Sequence, residues 1–311
     1  MFEGLEVLDT IRLNFSPDSL KLLNITIAFI MFGVALDLKL SRFKHVVLFP
    51  KSTILGVAAQ FLVMPLMTFL LVLIINPTPG VALGMILVAA CPGGNLSNFM
   101  TNHARGNTEL SVTLTAISDF SAIIMTPLNF AFWGGLYAKF YHQGSELLLP
   151  VEIDILEMVK TMIVILGIPL VIGMLFSKYL PDVTAKIKKP IKILSLFIFA
   201  SYVVIALAKN FNYFLDYIHL IFLIVLIHNT LAFLSGYAVA KIFKLKRQDV
   251  RTITIETGIQ NSGLGLVLIF NPNLFNGIGS MAFIAAFWGI WHIISGLTLS
   301  SIWSYKPLLN R

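Results

Sequence analysis

The chain has 311 residues, of which 57% are hydrophobic and only 12% are charged, with a formal net charge of +7. A soluble domain carries roughly 25% charged residues, so this composition excludes an ordinary soluble enzyme or binding domain. The mean hydropathy of +0.88 points the same way. We therefore expect an all-α membrane protein.

Windows of about 20 apolar residues, enough to cross a hydrocarbon core of about 30 Å, occur along the whole chain. They predict nine transmembrane helices, two of them broken. The spans are 18–38, 52–75, 79–103 (broken), 108–136, 155–178, 190–209, 213–240, 250–271 (broken) and 280–304. No long linker or low-complexity segment separates them, so residues 1–311 are interpreted as one membrane domain.

The basic residues are unevenly divided between the two predicted sides of the membrane, and 17 of the 22 Lys and Arg fall on one side. These are Lys39, Arg42, Lys44, Lys51, Arg105, Lys178, Lys186, Lys188, Lys189, Lys192, Lys241, Lys244, Lys246, Arg247, Arg251, Lys306 and Arg311. The positive-inside rule then predicts a multi-pass protein of the cell membrane with its N-terminus outside and its C-terminus in the cytoplasm. Because this topology explains the net charge, no nucleic-acid partner is predicted.

The third and eighth spans are interrupted by polar and helix-breaking residues. Residues 91–98 read Cys-Pro-Gly-Gly-Asn-Leu-Ser-Asn, and residues 256–263 read Glu-Thr-Gly-Ile-Gln-Asn-Ser-Gly. Hydrocarbon offers no water to freed backbone groups, so such breaks persist where they line a cavity or bind an ion. A simple kink is an equally good interpretation for Pro65, Pro127 and Pro169 taken singly.

The similar placing of the breaks in spans 1–4 and 6–9 predicts an inverted repeat, which is common in secondary transporters.

Glu256 carries the clearest functional signal of any single residue. A carboxylate within a hydrophobic span is unfavourable unless it is paired or coordinated, so it is a functional candidate by default. Gln260 follows one helical turn later and Asn261 comes just after it. Hard oxygen ligands of this kind suit Na⁺. The structural alternative is a neutral glutamate that forms hydrogen bonds within a helix bundle.

The fourth span carries Ser111, Thr115, Ser118 and Asp119 on roughly one helical face. Any one of these hydroxyls more often bonds back to the carbonyl four residues earlier. The stripe together with Asp119 nevertheless favours a face that lines a cavity.

Isolated histidines and the single cysteine are weaker signals. His228 is interpreted as an interhelical hydrogen-bonding residue rather than a ligand, whereas His292 is a candidate donor to a bound anion. Cys91 excludes an internal disulfide and a cysteine metal cluster, and its place before Pro92 favours a small buried filler over a reactive thiol.

The two interruptions, in this order and with Leu110-Ser111 and Thr115 between them, resemble the bile acid:sodium symporter family, in particular its bacterial members. The resemblance covers essentially the whole chain, from Met31-Phe32-Gly33 to Trp291-His292. It implies a single transmembrane transporter domain in which the two broken helices cross. It also implies a panel of spans 1, 5 and 6 and a core of spans 2–4 and 7–9.

The resemblance further implies two sodium sites and a substrate site. One sodium site matches Ser97, Asn98, Ser111, Thr115 and Glu256. The other matches Gln60, Glu256 and Gln260 with backbone carbonyls near Thr257 and Ile259. The substrate would lie by the crossing, against the half-helix N-terminus at Asn95, with Asn261 and His292 as donors. No cofactor is implied beyond Na⁺ as the coupling ion.

We therefore expect a sodium-coupled secondary symporter of an organic anion, bile-acid-like or a small carboxylate, that works by alternating access.

Asp119 departs from the family pattern, which has a small hydroxyl residue there. It would strengthen cation binding, admit protons or disfavour a nearby anion. The alternative is a proton-coupled exchanger that uses Asp119 and Glu256. An enzyme is not expected, because no metalloprotease helix motif or nucleophile elbow occurs.

Overall fold

The computed structural model describes residues 6–10, 17–36, 50–141, 154–209 and 211–305. Within these residues all regular secondary structure is helical. The helices are α1 Glu6–Thr10, α2 Pro17–Ala35, α3 Pro50–Ile75, α4 Pro79–Ala90, α5 Leu96–His103, α6 Thr108–Tyr141, α7 Ile155–Tyr179, α8 Pro181–Lys209, α9 Phe211–Ile242, α10 Arg247–Gly258, α11 Ser262–Phe270 and α12 Gly279–Tyr305. Residues 37–38 of the first predicted span lie outside the described residues. So do the basic residues Lys39, Arg42, Lys44, Lys306 and Arg311.

Five of these helices are long and apolar enough to cross a membrane, judged by length and composition. They are Pro50–Ile75, Thr108–Phe140, Ile155–Tyr179, Ile221–Ile242 and Gly279–Tyr305. Large apolar side chains are exposed on the outside of the bundle, for example Ile74 and Phe132. Such a surface suits lipid rather than water, so the helices are those of a multi-pass membrane protein. The count of nine spans stays a prediction.

The first break arises where Pro92 interrupts the helix. Proline has no N–H and forces the residue before it into an extended conformation. Cys91 accordingly has φ −68° and ψ 157°, and α4 ends at Ala90. The next helix, α5, begins at Leu96, directly after Asn95.

The second break forms without a proline. α10 ends at Gly258, and Ile259 is extended, with φ −112° and ψ 103°. Asn261 then caps α11, because its Oδ1 accepts a hydrogen bond from the Leu264 N–H at 3.2 Å. A side chain at Gly258 would collide with the Phe233 ring, so a close helix contact also requires glycine there.

Of the three prolines for which a simple kink was an equally good interpretation, two follow a π-helical turn. Pro65 comes after the turn Ala59–Val63, and Pro169 comes after the turn Ile163–Gly167. Pro127 lies inside the continuous helix α6. Proline has no N–H and leaves a backbone carbonyl one turn earlier without a donor, and a π-helical turn can provide that carbonyl with another donor. Such turns often occur at functional sites. Gln60 belongs to the first of them.

The helices pack in two groups. α2 packs along α7 and α8, whereas α4, α5, α10 and α11 pack among α3, α6, α9 and α12. The two groups meet where α7 packs against α6 and where α11 contacts α2. This arrangement is compatible with a panel of α2, α7 and α8 and a core made of the rest, although that division stays a prediction.

Candidate functional site at the crossing of two broken helices

The two breaks are joined by backbone hydrogen bonds. The Gly94 N–H donates to the Ile259 carbonyl at 2.6 Å, and the Asn261 N–H donates to the Pro92 carbonyl at 2.8 Å. Gly93 and Gln260 face each other as an isolated antiparallel pair. Backbone groups that leave helix geometry inside the bundle are thus satisfied by one another rather than by water.

Glycine is required on the first break because the second passes so close to it. A Cβ on Gly93 would lie 2.9 Å from Glu256 Oε1, and one on Gly94 would lie 3.1 Å from the Gln260 carbonyl oxygen. The Gly93 N–H donates to Ser118 Oγ at 2.8 Å, which fixes the break to α6.

Glu256 is buried at the crossing and accepts hydrogen bonds at both carboxylate oxygens. Ser111 Oγ donates to Oε2 at 3.0 Å, and Thr115 Oγ1 donates to Oε1 at 2.6 Å. Thr115 Oγ1 also lies 3.4 Å from Asn98 Oδ1 and 3.5 Å from Ser97 Oγ. We call Ser97, Asn98, Ser111, Thr115 and Glu256 the hydroxyl cluster.

The hydroxyl cluster contains all five residues expected at the first sodium site, and they come from α5, α6 and α10. Ser97, Ser111, Thr115 and Glu256 are buried, whereas Asn98 is half-buried and marks the more open edge. The cluster offers a carboxylate, three hydroxyls and an amide oxygen. These are hard oxygen ligands, and such a set can hold Na⁺.

Besides Glu256, the residues expected at the second sodium site are joined by hydrogen bonds beside the crossing. Gln60 Nε2 donates to Gln260 Oε1 at 2.8 Å and to the Cys91 carbonyl at 2.9 Å. Gln260 Nε2 donates to the Thr257 carbonyl at 2.8 Å. The carbonyl of Ile259 already accepts the Gly94 N–H. We call the side chains of Gln60 and Gln260 with the carbonyls of Thr257 and Ile259 the amide cluster.

The three expected substrate residues have different surroundings. The side-chain oxygen of Asn261 caps α11, whereas the half-buried Asn95 makes no cap hydrogen bond at the start of α5. His292 is buried on α12, on the face it shares with Gly289 and Gly296. A Cβ on Gly289 would lie 2.7 Å from Ser262 Oγ, and one on Gly296 would lie 2.6 Å from Ile259 Cδ1. This face of α12 therefore packs on the second break.

Asp119 is fully buried on α6, one turn after Thr115. Neither of its carboxylate oxygens has a hydrogen-bond partner among the described residues. Thr115, one turn earlier on the same face, donates to Glu256, so the two carboxylates lie on the same side of α6. The departure noted in the sequence thus places a second carboxylate beside the site.

His228 makes an interhelical contact of the kind expected of it. Its Nε2 lies 2.8 Å from Thr68 Oγ1, and its ring packs edge-on against Trp288 with centroids 4.6 Å apart. Cys91 is also buried, as expected for a filler.

Several supporting contacts were not predicted from the sequence. Asn229 Nδ2 donates to the Gly258 carbonyl at 2.8 Å, and Ser295 Oγ donates to Asn229 Oδ1 at 2.6 Å, which ties α9 and α12 to the end of α10. Thr126 Oγ1 donates to the Ala90 carbonyl at 2.7 Å, at the end of α4. Thr126 lies three helical turns after Thr115, so the polar stripe could have been extended to include it.

A further contact lies at the start of α10. Asp249 accepts hydrogen bonds from Ser52 Oγ at 2.7 Å and from Asn107 Nδ2 at 2.8 Å. Asp249 follows the basic segment 241–247 in the sequence. An acidic residue in such a segment is usually an exposed surface charge, so the sequence did not indicate that Asp249 is buried.

Comparison with known proteins gives consistent matches. A sequence model described as the Sodium Bile acid symporter family matches residues 24–217, which include the first break. A Bacillus subtilis protein named "uncharacterized sodium-dependent transporter YocS" is 34% identical over 292 residues, which is 91% of this chain and 83% of that protein.

Two eukaryotic relatives also match. The Arabidopsis thaliana protein named "probable sodium/metabolite cotransporter BASS1, chloroplastic" is 32% identical over 88% of this chain, which spans 64% of that protein's length. The hepatic sodium/bile acid cotransporter of Rattus norvegicus is 29% identical over 87% of this chain and 73% of that protein.

Proposed function

The chain belongs to the sodium bile acid symporter family, and from this premise we propose that it carries an organic anion across the membrane together with Na⁺. Members of the family are sodium-dependent transporters rather than enzymes. The relatives' names specify sodium with a bile acid or with a metabolite. They do not favour the proton-coupled exchanger. The proposed cargo is a bile-acid-like anion or a small carboxylate.

The observation that carries the proposal is the buried Glu256 carboxylate at the crossing. An ionised carboxylate in the bundle needs a cation or strong donors. Its donors here are neutral hydroxyls, which can rotate to present their lone pairs when a cation arrives. We assign the first Na⁺ to the hydroxyl cluster on this ground, and it would be held by Ser97, Asn98, Ser111, Thr115 and Glu256.

We assign the second Na⁺ to the amide cluster, next to the same glutamate. Gln60 and Gln260 would turn their amide oxygens toward the ion, and the carbonyls of Thr257 and Ile259 would complete its oxygen shell. Because Gln260 Nε2 now donates to the Thr257 carbonyl at 2.8 Å, this ion must displace a hydrogen bond. Glu256 would interact with both ions and so link their binding.

The anion would lie by the crossing, where α5 and α11 begin. The free N–H groups of a helix N-terminus and its dipole favour negative charge, and bound sodium adds to that preference. Asn95, Asn261 and His292 would donate to the anion. Sodium therefore has to bind for the anion to bind well, which is the coupling that symport requires.

Transport would proceed by alternating access, with the panel of α2, α7 and α8 moving against the core. The positive-inside pattern favours a cell-membrane protein with an outside N-terminus. In the cell membrane the inward sodium gradient and a membrane potential that is negative inside would both drive uptake. The potential contributes about 2.3 kcal/mol per charge per 100 mV.

The test is uptake into proteoliposomes that contain the purified protein. A panel of labelled carboxylates and one conjugated bile acid is offered under an inward Na⁺ gradient, an inward K⁺ gradient or an inward pH gradient. We expect accumulation of at least one anion with the Na⁺ gradient alone. Accumulation driven by the pH gradient without Na⁺ would overturn the proposal.

A further inference from the structure

Asp119 differs from the other buried carboxylates among the described residues. Asp9, Asp249 and Glu256 each accept hydrogen bonds at both carboxylate oxygens. Asp119 is more deeply buried than any of them, yet neither of its oxygens has a partner in the described part of the chain. A buried polar group without a partner calls for an unseen ligand or ion, because desolvation would otherwise be uncompensated.

The position of Asp119 is fixed by its neighbours on α6. Thr115, one turn earlier, donates to Glu256. Thr126, two turns later, donates to the Ala90 carbonyl at the end of α4. The adjacent Ser118 accepts the Gly93 N–H. Asp119 therefore lies beside the first break, on the face of α6 that contacts both α4 and the glutamate.

A proton alone does not resolve this arrangement. A protonated carboxyl group becomes a hydrogen-bond donor and needs an acceptor for its O–H. A proton covers only one of the two Asp119 oxygens, and no described residue donates a hydrogen bond to the other. A cation, by contrast, satisfies both oxygens at once and also relieves the repulsion between Asp119 and Glu256.

We propose that Asp119 binds a sodium ion of its own beside the first break, so that this chain binds three sodium ions rather than two. The inference rests on the proposed sodium coupling and deepens it. The extra carboxylate offsets the charge of the extra ion, and the fully loaded core keeps the net charge that it would have with two ions and one carboxylate.

The direct test is equilibrium binding of radioactive Na⁺ to the purified wild-type protein, with K⁺ balancing the ionic strength. We expect three ions per chain at saturation. Two ions per chain would overturn the inference while leaving the proposed function intact. Absence of saturable Na⁺ binding would instead contradict the proposed function itself.

Asp119→Asn tests the assignment to this residue, since asparagine keeps the shape and removes the charge. We expect two ions per chain, with sodium-dependent stabilisation of the fold still present. The matched control is Asp182→Asn, an exposed carboxylate in the first turn of α8, which should bind three. An unchanged count in Asp119→Asn would assign the extra ion elsewhere and overturn the inference. If that variant does not fold, the wild-type count still decides between three ions and two.

Discussion

In the hydroxyl cluster the hydrogen bonds converge on one carboxylate, whereas in the amide cluster the side-chain amides bond to each other and to backbone carbonyls. Ser111 and Thr115 both donate to Glu256. Gln60 and Gln260 donate to one another and to the carbonyls of Cys91 and Thr257. Both clusters adjoin the same crossing, but only the first contains a formal charge.

This difference suggests how each cluster would accept a cation. A hydroxyl only has to rotate its hydrogen away, and the carboxylate attracts the ion directly. An amide must turn by about half a rotation to replace N–H with C=O, and the crossing must keep its own backbone hydrogen bonds meanwhile. We therefore expect sodium affinity to depend more strongly on the hydroxyl cluster than on the amide cluster.

Glu256→Gln should have the largest effect, because the glutamate belongs to both proposed sites. Loss of a buried charge from an ion pair corresponds to about 3–5 kcal/mol, so Na⁺ affinity should fall by at least about 100-fold. The measurement is Na⁺ titration of thermal stability in detergent. Wild-type sodium affinity in Glu256→Gln would show that the charge of Glu256 does not hold the ion.

Gly93→Ala should have the next largest effect, since the new methyl group would lie 2.9 Å from Glu256 Oε1. Overpacking of this kind corresponds to about 1–3 kcal/mol, and the carboxylate must move away from its hydroxyl donors. We expect sodium-driven uptake to fall by roughly 10-fold or more. Gly135→Ala is the control, because a Cβ at that position meets no atom within 4 Å. Equal uptake by the two variants would show that the close approach is unimportant.

Thr115→Val removes the hydroxyl that donates to Glu256 at 2.6 Å. A hydrogen bond to a charged group contributes about 1.5–3 kcal/mol, so Na⁺ affinity should fall by about 10-fold or more. Thr113→Val is the matched control on the same helix, because the Thr113 hydroxyl bonds back to the Glu109 carbonyl. If both variants bind Na⁺ equally well, the hydroxyl cluster does not hold the ion.

Gln60→Met should have the smallest effect of the four, because it removes one neutral donor and acceptor from the amide cluster. A neutral hydrogen bond contributes about 1 kcal/mol, so we expect Na⁺ affinity to fall by about fivefold. Thr68→Val serves as control on the same helix, where the hydroxyl contacts His228. A larger loss for Gln60→Met than for Thr115→Val would reverse the proposed order of the clusters.

The sequence was sufficient to predict the helical membrane architecture, both breaks and the residues that gather around them. Pro92 and the adjacent glycines dictate the first break locally, and the period of α6 brings Ser111 and Thr115 to one face. The crossing of the breaks was expected only from the family resemblance and not from local patterns, because Gly94 and Ile259 lie far apart in the chain and meet through tertiary packing.

Hydrogen-bond partners were the least predictable feature. Helical periodicity shows which face carries Ser118 and Thr126, but it does not show that they bond to backbone groups of the first break. Likewise, helical periodicity does not show that Gln60 lies in a π-helical turn just before Pro65. A side chain's partner depends on how neighbouring helices are rotated, and sequence patterns within a single helix do not contain that information.

The most direct test of the central claim is the thermal stability of wild-type and Glu256→Gln protein as Na⁺ replaces K⁺ at constant ionic strength. A ligand that binds only the folded state must raise its stability. We predict a saturable, sodium-specific rise in the melting temperature of the wild type and little or none in Glu256→Gln. Equal melting temperatures for the wild type in the two salts would contradict sodium binding at the crossing.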